Sequence, residues 1–110
     1  MKNKLEEISN LITKARNQIE SAMLEILAEN NNDTIVFDRP IEVTNNDDYD
    51  IPGTVYEVSL DYDSNDNPLV VIFATWGRCY SKDDAELYYV SDFTTDDLEW
   101  ILTRMYETLK

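Results

Sequence analysis

Thr54-Val-Tyr-Glu-Val-Ser-Leu-Asp-Tyr62 and Leu69-Val-Val-Ile-Phe-Ala-Thr-Trp76 are two apolar runs separated by Asp63-Ser-Asn-Asp-Asn-Pro68. Strand formers on either side of a turn-forming segment predict a β-hairpin. In the first run Tyr56, Val58, Leu60 and Tyr62 fall on one face, and Val55, Glu57, Ser59 and Asp61 on the other, which is the pattern of a half-buried strand. The second run does not alternate, because every position from Leu69 to Ala74 is apolar. Such a strand is covered on both faces or lies in the middle of a sheet. Either a helix covers each face, or loops or another subunit cover one of them.

On the N-terminal side of the hairpin, residues 3 to 29 read as one long helix. Leu5, Ile8, Ile12, Ala15, Ile19, Ala22 and Ile26 recur in steps of three and four, and Leu11, Met23 and Leu27 widen the stripe. At 1.5 Å per residue this helix is about 40 Å long, against roughly 20 Å for a typical strand, so part of it is expected to overhang the sheet. Its stripe is either all internal core, or its first turns pair with another chain. Asn30-Asn-Asn-Asp33 ends the helix. Thr34-Ile-Val-Phe37 follows as a short strand, Asp38-Arg-Pro40 as a turn and Ile41-Glu-Val-Thr44 as an edge strand; Asn45 to Pro52 is a polar loop.

On the C-terminal side, Gly77 to Ala85 is a connector and Glu86-Leu-Tyr-Tyr-Val90 a further strand. Phe93-Thr-Thr-Asp-Asp-Leu98 announces a helix start. Thr94 is the N-cap, Asp97 stands at N3, and Phe93 can staple against Leu98. The helix runs to about Thr108, with Leu98, Ile101, Leu102, Met105 and Leu109 on its buried stripe. Trp100 lies roughly 200° round from Leu98. The expected architecture is α+β in a single domain over residues 1–110: a long N-terminal helix, an antiparallel sheet of about four or five strands in meander order and a C-terminal helix.

Charge narrows the function classes. With 23 acidic and 9 basic residues the net charge is −14, which repels nucleic acid and anionic membranes. Residues 1–29 hold four bases and five acids, a net of −1, so the remaining residues carry −13. Cys79 is the single cysteine, no apolar leader-like run opens the chain, and no run approaches a membrane span; a cytoplasmic protein is the expectation.

The chain contains no histidine, the commonest general base and metal ligand. Asp61, Asp63, Asn65 and Asn67 imitate the opening of a calcium loop, but Asp66 stands where that loop needs Gly and Ile72 where it needs Glu. A polar hairpin turn accounts for the same residues. Asp47, Asp48 and Asp50 read as a solvated loop, and Asp83-Asp84 and Asp96-Asp97 as loop and capping charge. Arg78 and Lys82 could lower the thiol pKa of Cys79, but a nucleophilic cysteine also wants a partner base. No catalytic, cofactor or metal residue is assigned.

The expected function is therefore that of a small, acidic, non-enzymatic protein-interaction module. Its partner is another protein or a second copy of itself, engaged through the first helix or an aromatic-containing face. Trp100, Trp76, Tyr49 and Tyr88 are the candidate interface residues. The alternative is an acidic mimic of nucleic acid that blocks a DNA- or RNA-binding protein.

Overall fold

A computed structural model describes residues 2–29, 33–43, 52–76 and 81–109. The order of elements is α1 (Lys2–Glu29), β1 (Thr34–Glu42), β2 (Pro52–Tyr62), β3 (Pro68–Trp76), β4 (Glu86–Tyr89) and α2 (Thr95–Leu109), with single 3-10 turns at Lys82–Asp84 and Val90–Asp92. The four strands form one antiparallel meander in the order β1-β2-β3-β4. The fold class is α+β, as the hydrophobic patterning predicts.

Registers across the sheet sort the side chains by face, since directly opposed residues point the same way. Ile35, Val58, Ile72 and Tyr88 make one row, and Ile41, Val55, Ala74 and Glu86 another. These rows look toward the helices. Met23, Ile26 and Leu27 of α1, and Leu98, Ile101 and Met105 of α2, join Ile35, Val58 and Ile72 in a single core cluster. Both helices therefore lie on the same face of the sheet.

Two expectations about the strands need correction. Simple alternation places Val55 on the face opposite Val58, yet both are fully buried in the core. The register shifts between Val55 and Glu57, leaving Tyr56 as an extra residue, and one inserted residue exchanges the faces. Asp38-Arg-Pro40 is not a turn between two strands. It is the irregular middle of one continuous strand, across which the register with β2 shifts between Val36 and Ile41. Proline is tolerated there because β1 is an edge strand and the stretch is a bulge.

The start of α2 is built as its sequence dictates. Thr94 Oγ1 accepts the Asp97 N–H at 3.2 Å, and the Thr94 carbonyl accepts the Leu98 N–H at 3.0 Å. Phe93 and Leu98, before and after the cap, are both in the core.

Candidate interaction surface

Among the described residues no helix lies over the second face of the sheet. Its two central rows are Val36, Glu57, Phe73 and Leu87, and Thr34, Ser59, Val71 and Tyr89. Val71 is buried and Phe73 half-buried, although no described helix lies above them. The 3-10 turn at Lys82–Asp84 lies at one end of this face. From that turn Lys82 Nζ meets Glu57 Oε1 at 3.2 Å. Around this ion pair the face is apolar, with Val36, Leu87 and Tyr89 each about half exposed, at 48, 50 and 52%. Thr34 and Ser59 share a hydroxyl hydrogen bond of 3.1 Å. Glu42, opposite Thr54, and Asp61, opposite Leu69, are exposed carboxylates on the same face. The result is an apolar, aromatic centre bounded by acids.

The aromatic residues singled out from the sequence fall in different places. Trp100 is 49% exposed, on the side of α2 away from the core. α1 does not cover it. Trp76 ends β3, partly exposed, and follows the core-face alternation. Tyr88 packs against the core and meets Phe93 edge-on, with ring centroids 6.3 Å apart. Burial, followed by the charges of Glu86 and Asp92, pushes its hydroxyl pKa above the usual 10.0. Of the pair Tyr88–Tyr89, it is Tyr89 that takes the open face. Tyr49 lies outside the described residues, as do Asp47, Asp48, Asp50 and Cys79. Leu87 and Val36 are surface residues, and Phe73 a half-buried one, that hydrophobic spacing does not mark. Their signal is the register, which sequence spacing within one strand does not contain.

The carboxylates with calcium-like spacing serve the hairpin turn. Asp63 Oδ1 accepts the N–H groups of Asn65 and Asn67 at 2.8 and 2.9 Å, and Asp66 adopts φ 62°. Among the described residues no three His, Cys, Asp or Glu side chains are gathered as a metal would need. A notch of about 330 Å³ lies between α1 and the β2–β3 hairpin, lined by Leu24, Glu25, Ala28, Leu60, Tyr62 and Pro68. It offers one carboxylate and no basic side chain, so it has no acid–base pair. Among the described residues no helix is long and apolar enough to cross a membrane.

Comparison with protein families, curated proteins and solved structures gives no match.

Proposed function

We propose that this chain is a non-enzymatic, cytoplasmic protein-interaction module that works through the uncovered face of its sheet. One observation carries the proposal: both helices sit on the same face, so Val36, Leu87 and Tyr89 are left about half exposed around the Glu57–Lys82 pair, with Phe73 half-buried between them. An apolar centre of this kind with an aromatic member is the composition of a binding surface. Glu42 and Asp61 at its border suit a protein partner that surrounds an apolar patch with Lys or Arg. Capture with the purified chain as bait tests the proposal. A specific partner should be lost with Leu87→Asp and with Tyr89→Ala and retained with Trp100→Ala. Loss with Trp100→Ala alone would move the surface to α2 and contradict the proposal.

The second reading, an acidic mimic that occupies a nucleic-acid-binding protein, is favoured by the −13 carried outside residues 1–29. It predicts captured proteins that are basic, are released by raising salt, and remain bound to the Leu87→Asp variant.

A further inference from the structure

We propose that α1 pairs antiparallel with α1 of a second copy of this chain, about a two-fold axis close to Asn10. This surface is separate from the open sheet face and stands without it.

The apolar stripe of α1 runs beyond the body it packs on. Ile19 is half-buried and Met23, Ile26 and Leu27 are buried. Thr13, Arg16, Asn17 and Glu20 look across a cavity of about 190 Å³ at Val90 and Ser91. Beyond it the same stripe continues into solvent, with Ile8 53%, Leu11 65% and Ile12 43% exposed. At 100° per residue, Ile8 and Ile12 point within about 30° of the mean direction of Ile19 and Ile26, and Leu11 widens the stripe about 70° to one side. The stripe is one feature, half used inside the chain and half left over.

Charge selects the occupant and its direction. Glu7 and Lys14 are exposed and lie on the same flank of the stripe, about 90 to 115° round from its centre. Neither has an ion-pair partner in its own chain among the described residues. In an antiparallel helix pair like flanks meet, whereas in a parallel pair opposite flanks meet. A two-fold axis near Asn10 therefore sets Glu7 of each copy against Lys14 of the other, twice, and closes the assembly at two copies. The opposite flank carries Ser9 and Arg16, and Arg16 Nη2 donates to the Phe93 carbonyl of its own chain at 3.1 Å, so a parallel partner offers Lys14 no acid there. Residues 2–16 hold four bases and two acids in a chain of −14. Antiparallel pairing brings this basic half toward the acidic body of the second copy. An overlap of about four turns buries less than the roughly 1,200–2,000 Å² of a stable interface, so the dimer is weak and concentration-dependent.

Sedimentation equilibrium of the full chain, from about 1 μM to about 1 mM at about 150 mM salt, tests the pairing. The expected result is a reversible dimer that Leu11→Glu abolishes while the melting temperature at about 1 μM, where the wild type is monomeric, stays unchanged. Glu7→Lys and Lys14→Glu should each weaken it about tenfold. An equimolar mixture of those two variants should restore it. One variant then carries bases at both positions and the other acids at both, so each contact between positions 7 and 14 again joins a base to an acid. Tyr89→Ala should leave the dimer unchanged. A monomer throughout, a dimer indifferent to Leu11→Glu, or a mixture no tighter than either variant alone would overturn the proposal.

Discussion

The carboxylate of Glu20 on α1 accepts the backbone N–H of Val70 on β3 at 3.1 Å. The β3–β4 ladder reaches only to Val71, opposite Tyr89, so Val70 lies one residue beyond it. A helix side chain thus takes the place of a strand that is too short. Fifty residues away in sequence, this bond fixes where α1 crosses the sheet, and with it where the helix leaves the body.

Replacing Glu20 with Ala should therefore destabilise the chain by about 1–2 kcal/mol, because a part-buried amide loses a charged acceptor. Urea unfolding measures the loss, and hydrogen exchange should show faster exchange at Val70. A variant with unchanged stability and unchanged Val70 protection would contradict the role given to this bond.

The α2 cap predicts a second cost. Thr94→Ala removes the acceptor for the Asp97 N–H and should lower stability by about 1 kcal/mol, while Thr94→Ser should retain most of it. Thermal or urea unfolding of the two variants checks the difference.

How far the sequence discloses the fold depends on how local each signal is. The α2 cap spans a few residues and is written in full in Phe93–Leu98. The α1 stripe is periodic and also readable, as is its overhang, since helix and strand lengths differ. The faces of β2 depart from simple alternation because the extra residue at Tyr56 is set by pairing with β3, and no turn residue marks it. The uniformly apolar Leu69–Ala74 run leaves the second cover undecided between helix, loops and another subunit. Val71 and Thr75 are instead buried with no described helix over them, a burial that hydrophobic pattern does not distinguish from a helix layer. Trp100 is legible as an off-stripe residue, whereas Leu87 becomes part of a surface only through its position opposite Phe73.

Asp63 gives the pH dependence. The N–H of Asn67, then that of Asn65, hold its carboxyl below the ordinary value of 3.8. A carboxyl depressed in the folded state adds stability that is present above its unfolded pKa and lost as pH falls through the folded one. The melting-temperature gap between the wild type and Asp63→Ala should therefore be the same at about pH 7 and about pH 5 and should narrow below about 3.8. A gap that widens on acidification would contradict the turn geometry.

The two neighbours Trp100 and Ile101 should respond in opposite ways. Trp100 is half exposed and Ile101 fully buried. Trp100→Ala should change stability by less than about 0.5 kcal/mol, and Ile101→Ala should cost about 2–5 kcal/mol. Chemical denaturation of both variants checks this. A large loss at Trp100 would show that something in the chain covers it.

In the proposed function, the second face of the sheet is open in the isolated chain and is closed by a partner. Maleimide labelling of Leu87→Cys in a Cys79→Ser background, with Glu99→Cys on the exposed side of α2 as the control, tests it most directly. Both cysteines should label rapidly in the purified protein, and position 87 should slow selectively in lysate or with the captured partner. Slow labelling at position 87 in the purified chain, or equal rates at both positions in the presence of partner, would contradict it.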